Sequence, residues 1–176
     1  NGTRVAIGAP SSNKPGAQFV GKVRIYQLSN GAWVQLGVDI VGEADRDYSG
    51  RAIALSDDGT RLAIGAYKND GNGADSGNVR VYQLNGSTWD RMGADINGVA
   101  AGDEFGWSVA MSSDGTRIAI GAIKHDSGRG HVRVLDFNGS DWIPVGNDMD
   151  GAVPANQSFA GDQFGSSVAM SSDGNR

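Results

Sequence analysis

The phrase Asn1-Gly2-Thr3-Arg4-Val5-Ala6-Ile7-Gly8-Ala9 returns as Asp58-Gly59-Thr60-Arg61-Leu62-Ala63-Ile64-Gly65-Ala66, and again as Asp114-Gly115-Thr116-Arg117-Ile118-Ala119-Ile120-Gly121-Ala122. A further start, Asp173-Gly174-Asn175-Arg176, follows, so the spacings are 57, 56 and 59 residues. Self-similarity at a fixed period of this size marks a solenoid, a propeller or an array, in which no repeat buries a core alone. The chain reads as one region, 1–176, holding repeats 1–57, 58–113 and 114–172, with 173–176 opening a fourth. The pattern is entered and left part-way through a repeat, which predicts a slice of a larger array.

Within a repeat the signals are those of short strands. Phe105–Ser112 reads as a first strand, Ser113-Asp114-Gly115 as a tight turn, and Thr116–Ala122 as a second strand. A loop of variable length leads to His131–Phe137; Asn138-Gly139-Ser140 then supplies a hairpin turn before a fourth strand over Trp142–Gly146. Pro144 suits an outer edge, where one backbone N–H faces solvent. Helical periodicity is missing throughout. The expected fold is therefore all-β, built of propeller blades that are each a four-stranded antiparallel sheet. Alternating small residues in the second strand suit a crowded axis, and Trp33, Trp89 and Trp142 suit an outer strand where blades splay apart. That gradient favours a radial arrangement over a solenoid of stacked sheets. Three repeats are too few to close a ring, so the expected assembly is part of a six- or seven-bladed propeller.

Composition narrows the functions. The 28 glycines suit tight turns, while apolar residues at 39% and in ordered recurrence exclude disorder. A net charge of −5 argues against nucleic acid and anionic membranes as partners. Apolar runs all fall short of a membrane-spanning helix, so membrane insertion is not expected. The chain has no cysteine, which removes disulfides, thiolate metal sites and cysteine nucleophiles.

The strings Ala101-Gly102-Asp103-Glu104-Phe105-Gly106-Trp107-Ser108-Val109-Ala110 and Ala160-Gly161-Asp162-Gln163-Phe164-Gly165-Ser166-Ser167-Val168-Ala169, taken with Ile7-Gly8-Ala9-Pro10, closely resemble the FG-GAP repeat. That repeat is the blade unit of integrin α-subunit propellers and of many secreted proteins. The resemblance runs through the whole chain, although the first Phe-Gly pair has become Ser49-Gly50. It implies a propeller, an extracellular or cell-surface location, and an interaction role. One departure matters. Many family members hold calcium between first and second strands, and here that loop shrinks to Ser56-Asp57-Asp58-Gly59, Ser112-Ser113-Asp114-Gly115 and Ser171-Ser172-Asp173-Gly174. One or two carboxylates in so short a turn cannot supply the six to eight oxygens that calcium takes, so no calcium is expected there.

Repetition also sorts candidate site residues, because positions identical in every blade serve architecture and a specific site needs positions that differ. The recurring Asp47, Asp103 and Asp162 are expected to cap turns or to pair with the equally recurrent Arg24, Arg80 and Arg133; Asp39, Asp95 and Asp148 are likewise structural. Variation collects in the loops between second and third strands (10–20, 67–76 and 123–129) and between blades, where the third repeat carries an insertion. In a four-stranded meander both loop types leave at one end of the blade. The expected ligand-binding loops therefore contain Tyr67, Lys68, Asn69, Asp70, Lys124, His125, Asp126 and Arg129, and drift in unconstrained loops is the competing explanation of their variation. His125 and His131 fall short of a metal site by ligand count, and read as solvent-exposed loop histidines. Asp70, Asp75, Asn69 and Asn72 make an oxygen-rich loop without calcium-loop spacing.

Sequons occur at Asn1, Asn85, Asn138 and Asn156. The last three are glycosylation candidates, with Asn85 and Asn138 at hairpin tips where Asn-Gly-Ser is also ordinary turn chemistry. No nucleophile–base pair, phosphate loop or zinc cluster is legible, so neither catalysis nor a metal or cofactor is expected. Two functions follow. The first is a non-enzymatic, extracellular adhesion or interaction module that binds a protein or a glycan through its variable loops. The second is a structural building block that self-associates, as a closed dimeric propeller or a filament, by completing blades between chains.

Overall fold

The computed structural model describes residues 2–152 and 161–176. Among these residues the regular structure is three antiparallel sheets and one short helical turn, His125–Gly128. The first holds β1 (Arg4–Ala9), β2 (Lys22–Ser29), β3 (Ala32–Gln35) and β4 (Ile40–Val41). The second holds β5 (Ala52–Leu55), β6 (Arg61–Ala66), β7 (Asn78–Asn85), β8 (Thr88–Arg91) and β9 (Ile96–Asn97). The third holds β10 (Phe105–Met111), β11 (Arg117–Ala122), β12 (His131–Phe137), β13 (Trp142–Pro144) and β14 (Met149–Asp150). Each is a meander, ordered β5-β6-β7-β8 in the second sheet and β10-β11-β12-β13 in the third, as propeller blades are. The second and third sheets each join the last strand of one sequence repeat to four strands of the next.

The fourth strand differs from expectation. It is broken in two, so that β13 pairs with the far half of β12 (Leu135↔Pro144) and β14 with the near half (His131↔Asp150). Between the halves Gly146 takes a left-handed φ of 71° and the chain leaves the ladder. The detour carries Asp148 onto Arg133, with Nε 2.9 Å from Oδ1 and Nη2 2.6 Å from Oδ2. Arg24–Asp39 and Arg80–Asp95 repeat the arrangement. The recurrent arginines thus pair with this aspartate. Asp47, Asp103 and Asp162 instead cap turns, accepting the backbone N–H of Ala44, Ala100 and Ala152, each at 2.9 Å.

The cores lie between sheets. Val23 and Ile25 of the first pack on Leu62 and Ile64 of the second. Val79, Val81, Met92 and Ile96 of the second meet Phe105, Ile118, Ile120, Leu135 and Trp142. Fully burying one such side chain contributes about 1.5–3 kcal/mol, all of it dependent on the neighbouring blade.

Three further contacts set the spacing and tilt of adjacent blades. At the inner strands Gly65 faces Gly106 so closely that a Cβ on Gly65 would lie 2.2 Å from the Gly106 carbonyl oxygen. Gly8 against Gly50 and Gly121 against Gly165 repeat the approach. At the turn end an arginine of each second strand donates to the next blade's Asp-Gly turn. Arg4 Nη1 reaches Gly59 O at 3.1 Å, Arg61 Nη1 reaches Asp114 O at 3.0 Å, and Arg117 Nη1 reaches Gly174 O at 2.9 Å. At the outer strand the tryptophan indole N–H donates back to the preceding blade, from Trp89 to Leu36 O at 3.2 Å and from Trp142 to Met92 O at 2.9 Å.

Replacing Gly65 with Ala drives a methyl group into a carbonyl that cannot move without shifting a blade. The expected loss is about 1–3 kcal/mol in urea unfolding, whereas Ser87→Ala at an exposed hairpin tip stays within about 0.5 kcal/mol.

The arginine partners set an acid limit. Hydrogen bonds from Arg24, and then from Gln35, hold Asp39 at about 2 against an ordinary 3.8. Arg133 lowers Asp148 and Arg117 lowers Asp136 in the same way. These folded-state values lie below the unfolded ones, so their stabilisation is complete above the ordinary carboxylate range and is lost as pH falls toward about 2. The urea midpoint is expected to drop steeply below about pH 4, with a shallower drop in Asp148→Asn.

Candidate functional site

The loops between second and third strands and the loops between blades emerge side by side. Parallel bridges Gly21↔Ser49, Gly77↔Phe105 and Gly130↔Phe164 tie the two kinds together at the same height in each blade. One face of the molecule therefore carries nearly all the sequence that differs between repeats. The opposite end carries the short turns, where Asp58 accepts hydrogen bonds from the Ser56 hydroxyl and from the Thr60 N–H and hydroxyl, and Asp114 repeats this with Ser112 and Thr116. Those carboxylates close their own turns.

Across the loop face three unlike clusters follow one another. The first is aromatic. Phe19 stacks on Tyr48 with ring centroids 5.5 Å apart, Tyr48 tilts on Tyr67 at 5.6 Å, and Tyr67 meets the edge of Trp107 at 5.0 Å. The Arg51 guanidinium sits 4.7 Å above the Trp107 ring. Burial raises the Tyr67 hydroxyl above its usual range.

The second cluster is ionic. Glu104 is buried and has a left-handed φ of 56°. Its Oε1 accepts Lys68 Nζ at 2.8 Å and Lys124 Nζ at 2.7 Å, and Lys68 also reaches Asp75 Oδ2 at 2.8 Å. Burial opposes the charge on Lys68, but the Asp75 and Glu104 bonds outweigh it and push the amine up to about 12. This lysine stays charged at any physiological pH.

The third cluster contains the histidines, and here expectation is corrected. His131 is not an exposed loop residue; it opens β12 at 1% exposure. His125 is half-buried, with its ring centroid 4.2 Å from that of His131. The His125 Nδ1 lies 3.1 Å from Asp103 Oδ1, within ion-pair distance but without hydrogen-bond geometry. Burial, and then the neighbouring His125, push the His131 imidazole below its ordinary value.

Of the loop residues expected to form the site, Tyr67, Lys68, Lys124 and His125 are drawn into these clusters. Asn69 is buried, donating to Asp47 Oδ2 at 3.1 Å. Asp70 accepts the Asp75 N–H at 2.8 Å, and Asn72 donates to the Gly98 and Val99 carbonyls, so this oxygen-rich loop satisfies itself. Asp126 is exposed with a left-handed φ, and Arg129 lies 3.5 Å from it. Asn85 and Asn138 stand exposed at hairpin tips of the opposite end; Asn85 Nδ2 donates to Asp90, and Asn138 Oδ1 accepts from Ser140 and Asp141. Asn1 and Asn156 lie outside the described residues. Sequence reasoning missed Phe19, Tyr48, Arg51, Glu104 and Trp107. A repeat alignment carries the signal, because these positions hold unlike residues in the other blades.

No helix among the described residues is long and apolar enough to cross a membrane. Truncating Glu104 to Ala leaves two ammonium groups facing each other, with an expected loss of about 3 kcal/mol in thermal or urea unfolding. Lys124→Ala, which leaves Lys68 in place and removes only the more exposed amine, is expected to lose under about 1 kcal/mol.

Comparison with known proteins agrees with this architecture. Residues 42–82 and 97–134 each match the FG-GAP repeat. No curated protein matches the chain. Among solved structures, a putative 6-phosphogluconolactonase from Bacteroides uniformis superposes with a TM-score of 0.50 at 13% identity, covering 77% of this chain and 37% of that one. TolB from Acinetobacter baumannii gives 0.47 at 14% identity, over 84% of this chain and 31% of its own. The chain thus spans about a third of the length of each, and the likeness to the first concerns fold alone. The matched segments contain the Phe-Gly and Gly-Ala glycines of the contact between the second and third sheets, and over those segments the chain is similar to the FG-GAP repeat.

Proposed function

We propose that this chain is a non-enzymatic, extracellular interaction module that binds a protein or glycan through its loop face. The observation that carries the reading is the segregation of sequence. Interior glycines, bridging arginines and hairpin turns repeat from blade to blade, while the aromatic row, the Lys68–Glu104–Lys124 cluster and the histidines occur once each and share one face. Aromatic rings beside fixed charges on a rigid scaffold suit recognition of sugar faces or of protein side chains. The usual extracellular or periplasmic setting of FG-GAP repeats supports the location. In a eukaryotic secretory route the exposed Asn85 and Asn138 would be accessible to glycosylation without obstructing that face.

Arrays of glycans and of extracellular proteins, probed with the purified chain, test this reading. A ligand is expected whose binding falls at least about tenfold in Tyr67→Ala or Arg51→Ala and is unchanged in Asn85→Ala at the other end. A ligand insensitive to both loop-face changes would overturn it.

A second reading, self-association by completing blades, rests on a separate observation. Ile7, Trp33 and Val38 of the first sheet are half-exposed or more. A cleft of ≈ 650 Å³ beside the third sheet is lined by Val132, Val134, Val145, Met149 and Phe164. Light scattering decides it: a stable monomer of 18.2 kDa at high concentration excludes both dimer and filament for this chain.

A further inference from the structure

The loop face has a fixed frame against which its residues can be aligned by hydrogen bonding. Gly21 N donates to Ser12 O, Gly77 N to Asn69 O and Gly130 N to His125 O, so Ser12, Asn69 and His125 are equivalent. Strand register makes Lys22↔Val41, Asn78↔Asn97 and His131↔Asp150 equivalent pairs. The same three places therefore hold Ser, Lys and Val in the first blade, three asparagines in the second, and His, His and Asp in the third. Only the third set has the donor chemistry of a transition-metal site.

We propose that His125, His131 and Asp150 form a binding site for a divalent transition-metal ion of the zinc class. One donor atom from each residue lies within 4.8 Å of the others. A tetrahedral ion with bonds of about 2.0–2.1 Å wants donors about 3.4 Å apart, a closure that rotation of the half-buried His125 and exposed Asp150 side chains supplies. His131 gives independent support. It is 1% exposed, and neither ring nitrogen has a hydrogen-bond partner. A buried imidazole with both nitrogens unmatched carries a desolvation cost, which a metal bond removes at the ligating nitrogen. The Asp103 carboxylate beside His125 Nδ1 is placed to orient that ring, as carboxylates behind metal-bound histidines do.

The surrounding charges permit a dication. Asp103, Asp126, Asp148 and Asp150 stand against Arg129 and Arg133, and Arg133 is already held by Asp148. Arg129 reaches Asp150 only at 3.9 Å, so little is lost when that carboxylate turns to a metal. Two imidazoles with one carboxylate disfavour calcium and magnesium, which take oxygen donors. Three protein ligands leave a fourth position for water. Sequence alone shows two histidines and too few ligands, because the third comes from the broken outer strand.

Titration of tag-free, chelator-treated protein with Zn²⁺ by calorimetry tests the site, with Co²⁺ absorption reporting its geometry. One ion per chain is expected, with a raised melting temperature and the visible bands of tetrahedral Co²⁺. His131→Asn installs the second blade's residue and is expected to weaken binding at least about 100-fold, and Asp103→Asn about tenfold. His125→Ala, at a half-buried ring without a hydrogen bond, keeps the test valid should His131→Asn fail to fold. Failure of the parent protein to bind Zn²⁺ stoichiometrically, or parent-like affinity in folded His125→Ala, would overturn the proposal.

Discussion

Two glycine backbones in contact, one from each of two neighbouring blades, set the geometry on which the remaining contacts depend. Gly65 of β6 and Gly106 of β10 approach until no side chain fits between them, and Gly106 needs a φ of 87° to do so. The Phe-Gly and Gly-Ala elements of the repeat are thus two halves of one inter-blade contact. The phenylalanine beside that glycine, Phe105, is wholly buried and fills the space that the close approach creates farther out. A larger residue at either glycine would push the sheets apart at the point where they are nearest, and the buried cores at greater radius would open with them.

The other inter-blade contacts read as consequences. Once the inner strands touch, the turn ends of adjacent blades fall within an arginine's length, and Arg61 reaches the Asp114 carbonyl. At the outer strands the gap is wide enough for an indole, whose N–H finds a carbonyl on the preceding blade. Glycine, arginine and tryptophan therefore report three radii of one stack. Trp33 of the first sheet is half-exposed.

Much of this was legible in the sequence, because repetition announces architecture. The strands, the hairpin turns, the inter-sheet burial and the common end of the variable loops all follow from spacing and alternation. Pair choice did not follow. Asp39 and Asp47 recur equally well, and only the detour at Gly37 shows which of them meets Arg24. The break in the outer strand escaped notice for the same reason: Val145-Gly146-Asn147 looks like a strand end, and the return at Met149–Asp150 is too short to show a period. Burial of Glu104 and His131 was also hidden. Glu104 is a polar residue at a place where Tyr48 is only half-buried, and His131 at one where Lys22 is half-buried but Asn78 is buried, so no pattern of polarity predicts it.

That last discrepancy bears on function. A repeat scaffold holds its blades together with the residues that recur, and this frees the rest from structural duty at no cost to the core. Where a freed position nevertheless holds a buried charge or a buried imidazole, stability does not explain the choice, since an apolar residue there would be at least as favourable. Glu104, gripped by lysines from two blades, locks the second and third blades at the loop end; its effect is to fix the relative position of Tyr67 and His125, which those blades carry. The His131 ring fixes nothing by hydrogen bonding. A rigid seam beside an unsatisfied ligand is the arrangement expected of a surface selected for what it binds.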